Sequence, residues 1–214
     1  MSGEATDAGD AGSACSSSDG PVDTSARRPD DSFCHLLTRR LEIRRFTLDD
    51  AEAFAAYRSE PAVARYQGWD TPYPLSSAQR FVQKLGGSHP GTPGEWFQFA
   101  VGSKQTGDLI GDCGLRTEED GRQAEIGFTL AREHQDKGYA SEAVSRLVDY
   151  AFDDLSFHRL VAITDQENEP SFGLLERLGF RREGSFAQNA WFKGGWTDEY
   201  LYAILRSEWL ERRK

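Results

Sequence analysis

Residues 128–142 carry the pattern in this sequence that is best suited to chemistry. An apolar strand-like stretch leads into a short loop, and small apolar residues then recur at helical spacing. A loop at a helix N-terminus directs unpaired backbone N–H groups toward one point, where the helix dipole adds positive potential. Gly138 lets an anion approach the backbone, Ala140 keeps the first helical turn small and Lys137 adds positive charge. The pattern predicts an anion site, although a plain strand-to-helix turn would carry the same glycine.

Residue periodicity predicts the elements that must position this loop. Alternating apolar residues indicate strands, and apolar residues every three to four positions indicate helices. Ser76 and Gln79 form a capping-box pattern that predicts the start of the second helix. The predicted strands are residues 41–46, 96–101, 109–115, 124–130, 160–164, a strand from 180 and 199–205, and the predicted helices are 47–57, 76–85, 140–155 and 168–178.

The first thirty residues differ in composition from the rest. Residues 1–31 are mostly Gly, Ala, Ser and Asp, and they lack the large apolar side chains needed to offset the entropy of ordering. We expect a disordered tail over residues 1–33 and one domain over residues 34–214. Neither a secretory signal nor a membrane-spanning run is recognisable, so we expect a cytoplasmic protein.

The charge distribution excludes a basic nucleic-acid surface. The formal net charge is -10, and residues 1–31 hold 7 acidic and 2 basic residues, which leaves -5 for the tail and -5 for the domain. An acidic body of this kind favours cationic substrates such as amines. We expect neither a nucleic-acid partner nor a membrane partner.

The cysteines indicate a reducing compartment and no metal. Cys15, Cys34 and Cys113 are an odd number, and no pair has the spacing of a zinc ligand set. Cys113 lies in an apolar alternating stretch, which favours a buried inert thiol over a nucleophile.

Residues 135–140 also resemble a known motif. Their sequence, Gln-Asp-Lys-Gly-Tyr-Ala, is similar to the Gln/Arg-x-x-Gly-x-Gly/Ala loop of the GCN5-related N-acetyltransferases, and the similarity covers roughly residues 36 to 210. The order of the blocks resembles the branch that acetylates the N-termini of ribosomal proteins. Further matching blocks are residues 41–44, 107–111, 125–128, 138–143, 168–171, 178–180 and 183–184.

The resemblance implies the fold and the cofactor site. It implies a single α/β domain of mixed α+β type, with a mostly antiparallel twisted sheet of about seven strands and about four helices. The strand ending at residue 130 would splay from strand 160–164, and the pantetheine arm of acetyl-coenzyme A would pair in the gap. Asp136 departs from the glycine common in the branch, and its acidic side chain is expected to weaken cofactor affinity. The cofactor contacts implied are Phe128, Thr129, Leu130, Gln135, Asp136, Lys137, Gly138, Tyr139, Ala140, Ser141, Asn168 and Ser171.

The same resemblance implies two catalytic residues. Ser171 corresponds to a residue that protonates the sulfur of coenzyme A, although a serine there also suits helix capping. Asn168 either contacts the pantetheine arm or orients Ser171, with a turn-forming asparagine as the alternative. Some relatives have a base at the position of Ala190, so Glu125 is the remaining carboxylate that can act through a water; a solvated charge at a strand end is the alternative.

The implied activity is acetyl transfer from acetyl-coenzyme A to a primary amine by direct attack in a ternary complex. The acceptor would be a protein N-terminus or a small-molecule amine, and a homodimer is compatible with the branch. Five aromatic residues are candidate walls of the acceptor pocket, with core packing or loop anchoring as the alternative: Trp69, Tyr73, Trp191, Phe192 and Trp196. A binding module that senses acyl-coenzyme A and has little catalytic activity is the second hypothesis, suggested by Asp136 and Ala190.

Overall fold

The computed structural model describes residues 29–214, so most of the predicted tail lies outside the described residues. The described chain forms one mixed sheet of eight strands in the spatial order β1-β2-β3-β4-β5-β6-β8-β7. The strands are β1 His35–Leu37, β2 Leu41–Arg44, β3 Trp96–Ser103, β4 Leu109–Thr117, β5 Gln123–Leu130, β6 Arg159–Asp165, β7 Arg181–Phe192 and β8 Gly195–Leu205. The α-helices are α1 Ala51–Arg58, α2 Pro61–Ala64, α3 Leu75–Leu85, α4 Tyr139–Asp153, α5 Glu169–Leu178 and α6 Arg206–Arg212, with 3-10 helices at Leu48–Asp50 and Arg132–His134.

The predicted fold class is confirmed, with more elements than expected. The sheet has eight strands instead of about seven, because the three-residue strand β1 precedes the first predicted strand. The short helices α2 and α6 bring the α-helices of the described region to six. The start predicted at Ser76 was wrong: α3 begins at Leu75 after Pro74, whose fixed φ suits a helix entry.

One pair of neighbouring strands is parallel. β5 and β6 pair only from Gln123 with Arg159 to Glu125 with Val161, whereas the other neighbours in the sheet are antiparallel. Helix α4 provides the crossover that a parallel pair needs. Beyond Glu125 and Val161 the two strands continue without pairing, so a gap opens in the middle of the sheet.

The sheet separates two hydrophobic clusters. The larger packs α4 and α5 on one face, with Phe99 and Leu147 fully buried. The smaller packs α1 and α3 on the other face around Phe54, which is also fully buried. Cys113 lies in the larger cluster, as expected, and burial raises the pKa of its thiol. None of the helices described between residues 29 and 214 is both long and apolar enough to cross a bilayer.

The packed domain begins before the predicted boundary at residue 34. Phe33 is buried, and its ring makes edge contacts with Phe97 and Phe99. The hydroxyl of Tyr150 in α4 donates a hydrogen bond of 2.6 Å to Asp30. The predicted tail therefore ends in residues that are part of the core.

A buried ion pair joins α1 to the sheet. Asp112 in β4 is 1 % exposed and accepts hydrogen bonds from Tyr57, Arg58 and Gln98 at 2.8, 3.2 and 2.5 Å. Burial raises the pKa of the Asp112 carboxyl, and the positive charge of Arg58 opposes that rise. The Arg58 guanidinium lies 3.9 Å from the ring centroid of Trp69, so the loop after α2 is held by the same charge.

We predict that Arg58→Met lowers the free energy of unfolding at pH 7 by about 3–5 kcal/mol, because it leaves the buried Asp112 carboxylate unpaired. The loss should shrink as the pH falls, because protonated Asp112 needs no counter-charge. Urea unfolding at pH 7 and pH 5 measures both effects. The exposed Arg80→Met in α3 is the matched control, with an expected change within about 0.5 kcal/mol; equal losses in the two variants would contradict the prediction.

Candidate active site

The gap between β5 and β6 opens into a cavity of about 160 Å³. Ile126 to Phe128 of β5 and Ala162 to Asp165 of β6 form its two sides. The start of α5, the loop after α2 and the β7–β8 hairpin supply the remaining walls. The cavity therefore lies where the sheet lacks hydrogen bonds between neighbouring strands.

The backbone of β5 offers hydrogen-bonding groups to this cavity. The N–H of Ala131 donates to Ile110 of β4, and β5 pairs with β4 along its whole length. Because the backbone groups of successive strand residues point to opposite sides, Phe128 faces the gap and Thr129 faces β4. The backbone of Phe128 therefore faces the gap, where a ligand can pair with it, and the backbone of Thr129, another predicted cofactor contact, faces β4.

The loop from β5 to α4 has the geometry of an anion site. Gly138 is the N-cap of α4 with φ 74°, and Asp136 also has a positive φ, 59°. No side chain caps α4, so its first N–H groups stay available. The side-chain amide of Gln135 donates a hydrogen bond of 3.0 Å to the carbonyl of Leu130. This hydrogen bond occupies the carbonyl and fixes the loop to the end of β5.

An ion pair from the β1–β2 turn holds this loop, and the sequence analysis did not identify it. The Nε of Arg40 donates a hydrogen bond of 2.6 Å to the carboxylate of Glu142 in the first turn of α4. The same guanidinium donates a hydrogen bond of 2.9 Å to the carbonyl of Lys137. The hydroxyl of Thr38 donates a hydrogen bond of 2.6 Å to the same Glu142 carboxylate. Burial opposes the ionisation of Glu142, but these hydrogen bonds hold its pKa below the ordinary value. The Arg40 guanidinium also lies 4.3 Å from the ring centroid of Tyr139.

The start of α5 directs two polar side chains toward the cavity. Asn168 is the N-cap and Ser171 lies in the first turn, and both line the cavity. The helix has no side-chain cap hydrogen bond, so the capping interpretation of Ser171 is not observed. The hydroxyl of Ser171 and the amide of Asn168 are therefore available to a ligand.

Two interacting carboxylates lie near the gap between β5 and β6. Glu125, at the end of the parallel pairing, has a raised pKa because of burial; Arg116 lowers it, while Glu118 and Glu199 raise it further. Glu199 in β8 lines the cavity, and its carboxylate accepts a hydrogen bond of 2.5 Å from the side-chain amide of Asn189. Sequence reasoning missed Glu199, because nothing local shows that β8 brings it next to β6.

Most of the aromatic residues predicted as pocket walls do not line this cavity. The indole N–H of Trp69 donates a hydrogen bond of 2.9 Å to the carbonyl of Arg58. Trp69 and Tyr73 both pack against the smaller hydrophobic cluster. Trp191 is 63 % exposed and makes an edge contact with Trp196. Of the five candidates Phe192 lines the cavity, as do Tyr66, Gln67 and Ala190 from the same two segments.

Comparison with known proteins agrees with this arrangement. The family model described as an acetyltransferase (GNAT) domain matches residues 40–181. An uncharacterized N-acetyltransferase of Bacillus licheniformis, p20, is 36 % identical over 176 residues, which are 81 % of this chain and 97 % of that protein. A spermidine N(1)-acetyltransferase of Vibrio cholerae is 34 % identical over 91 residues, 42 % of this chain and 53 % of that protein.

Solved structures show the same fold. An acetyltransferase of the GNAT family from Bacillus anthracis has a TM-score of 0.73 and 32 % identity, and the match covers 81 % of this chain and 99 % of that one. A ribosomal-protein-S5-alanine acetyltransferase from Vibrio fischeri has a TM-score of 0.72 at 23 % identity, and the match covers 83 % of this chain and 99 % of that one. The second similarity concerns the fold alone.

We predict that Asp136→Asn tightens the binding of acetyl-coenzyme A by about two- to five-fold, the range expected for one exposed charge near a helix N-terminus. Asparagine tolerates the positive φ of this position, so the variant changes the charge and keeps the backbone. Calorimetric titration of the wild type and the variant measures the change. Asp136→Glu is the control that keeps the charge; the prediction fails if Asn and Glu have the same effect.

Proposed function

Because this chain belongs to the GNAT acetyltransferases, we propose that it transfers an acetyl group from acetyl-coenzyme A to a primary amine by direct attack in a ternary complex. The acceptor is a protein N-terminus or a small-molecule amine. The observation that carries the proposal is the cavity in the gap between β5 and β6, with Ser171 in its wall, together with the uncapped N-terminus of α4 after the loop that follows β5. The reaction takes place on a soluble enzyme that we expect in the cytoplasm.

The residues present fit acetyl-coenzyme A as a co-substrate. The N–H groups at the start of α4, with the flexible backbone of Gly138, suit a pyrophosphate. The unpaired backbone of Phe128 suits the amide groups of a pantetheine arm. The thioester supplies the activated acetyl group, and the protein has to orient it, exclude water and move two protons.

Ser171 is the proposed proton donor. When the amine attacks the thioester carbonyl, the C–N bond forms, the C–S bond breaks and the departing thiolate needs a proton. The Ser171 hydroxyl lines the cavity and has no capping role, so it can donate to the sulfur and regain a proton from solvent.

Glu125 and Glu199 support a cationic acceptor. Their carboxylates influence each other, and Glu199 lines the cavity. An amine enters as an ammonium ion, so negative charge there favours its binding. A glutamate with a raised pKa is also a better base at neutral pH than an ordinary one, and Glu125 is the proposed acceptor of the ammonium proton through a water.

We predict that the wild type releases thiol from acetyl-coenzyme A with at least one amine in a panel of spermidine, amino sugars and peptides with free N-termini. Ser171→Ala should lower kcat by about 10²-fold or more, because the thiolate then leaves without a positioned proton donor. Ser76→Ala, an exposed serine in the first turn of α3, is the matched control and should leave kcat unchanged.

The outcomes separate the two functional hypotheses. Tight binding of acetyl-coenzyme A without turnover across the panel would contradict the transferase and support the sensing module. Turnover that survives Ser171→Ala unchanged would keep the transferase and reject Ser171 as the acid.

The raised pKa of Glu125 predicts the pH dependence. As the pH falls through the folded-state pKa of Glu125, the carboxylate is lost and kcat/KM should drop at a pH above the ordinary glutamate value of 4.5. Arg116→Met removes a charge that lowers this pKa and should move the drop to higher pH, whereas Glu118→Gln should move it to lower pH.

If the drop in kcat/KM at low pH reflects protonation of the acceptor amine, its position should be the same in both variants. A drop that reflects protonation of Glu125 should shift, so the two causes can be told apart. Glu125→Gln should lower kcat/KM by about 10²-fold and abolish the drop that shifts. If Arg116→Met and Glu118→Gln shift the profile in the same direction, Glu125 is not the titrating group.

A further inference from the structure

A buried hydroxyl in the cavity has no hydrogen-bond partner among the residues that the structure describes. Thr164 in β6 is 7 % exposed, and it belongs to the wall of the cavity between β5 and β6. Its Oγ1 is buried and makes no hydrogen bond to any residue described between 29 and 214. A hydroxyl removed from water without a new partner raises the free energy of the fold, so such groups are uncommon.

The position of Thr164 sets it apart from the other unpartnered buried side-chain atoms of the described region. Those atoms are the Nε of Arg58, the Oγ1 of Thr117 and the Nε of Arg206. None of these three residues lines the cavity. Thr164 is therefore the one whose missing partner a molecule in the cavity can supply.

The surroundings indicate what kind of group this partner is. Along β6, Thr164 lies on the same face as the buried Leu160 and Ala162, which is the face that packs against α5. Asn168 and Ser171, at the start of that helix, line the same cavity. Because the neighbouring side chains on this face, Leu160 and Ala162, are apolar and buried, a neutral polar group fits here better than an ion.

We propose that Thr164 binds the pantetheine arm of acetyl-coenzyme A, with its hydroxyl hydrogen-bonded to one of the two amide groups of that arm. The inference rests on the proposed function, in which the pyrophosphate lies at Gly138 and the thioester at Ser171, so that the arm crosses the gap between them. A threonine hydroxyl donates to an amide carbonyl or accepts from an amide N–H, so either amide satisfies it. Thr164 then positions the arm and takes no part in the proton transfers.

The test is Thr164→Val, which keeps the shape of the side chain and removes the hydroxyl. Without ligand, the variant should have a higher Tm than the wild type, because an unpaired buried hydroxyl has been replaced by a methyl group. Its affinity for acetyl-coenzyme A should fall by about two- to ten-fold, the value of one neutral hydrogen bond. At saturating acetyl-coenzyme A, kcat should remain within about two-fold, because Thr164 acts in binding only.

A fragment of the cofactor locates the contact. Adenosine 3′-phosphate 5′-diphosphate has the nucleotide and the pyrophosphate but lacks the pantetheine arm, so wild type and Thr164→Val should bind it equally. The matched control is Thr117→Val, which removes the other buried unpartnered hydroxyl, outside the cavity. It should also raise the Tm, but it should leave both affinities unchanged.

Four results would overturn the proposal. A lower Tm of unliganded Thr164→Val with unchanged affinity for acetyl-coenzyme A would show that the hydroxyl has a structural partner. Equal weakening of acetyl-coenzyme A and the fragment would show a general disturbance of the site. No binding of acetyl-coenzyme A by the wild type would overturn the proposed function as well, whereas binding that is unaffected by Thr164→Val overturns this inference alone.

Discussion

The divergence of β5 and β6 is the constraint on which the rest of the site depends. Three pairs of residues hold the strands together, and after Glu125 and Val161 each strand runs on without the other. A sheet interrupted in this way exposes backbone polar groups in its own interior, which is costly unless a partner satisfies them. The outer neighbours β4 and β8 stay paired with β5 and β6, so the gap is held open by a continuous sheet on each side.

Charged side chains stabilise the loop after α2, which lines the cavity, and the loop that precedes α4. Asp112 and Arg58 join α1 to β4, and the aromatic contact with Trp69 extends that link into the loop after α2. On the opposite face, Arg40 and Glu142 join the β1–β2 turn to α4. Both ion pairs bring additional hydrogen bonds with them, which is the arrangement in which a partly desolvated charge is tolerated.

Local sequence patterns predicted the elements and the residues that act through local geometry. Gly138 was identifiable because a left-handed N-cap requires a residue without Cβ strain, and Ser171 was identifiable from its block and its place at a helix start. The boundary errors at Ser76 and Phe33 arose where tertiary contacts outweighed composition: proline set the helix start, and three aromatic rings drew Phe33 into the core.

Residues that act across the sheet could not be predicted in the same way. Glu199 reaches the cavity only because β8 pairs with β6, and Trp191 turns away because neighbouring side chains in a strand alternate between faces. The missing partner of Thr164 is a property of its whole environment, which a single sequence does not contain. Periodicity therefore identifies the strands, whereas their order in the sheet decides which side chains meet.

The contact between Arg40 and Glu142 has a consequence for how the protein acquires its site. The two residues are 102 positions apart, so the closure of this contact carries the entropy of a loop that spans about half the chain. The loop of residues 135–140 has the sequence of a local motif, yet the ion pair that holds it, Arg40 with Glu142, joins residues that are far apart in the chain. This ion pair can form only when the β1–β2 turn and α4 have come together, so the loop is completed with the whole domain and not as an independent unit.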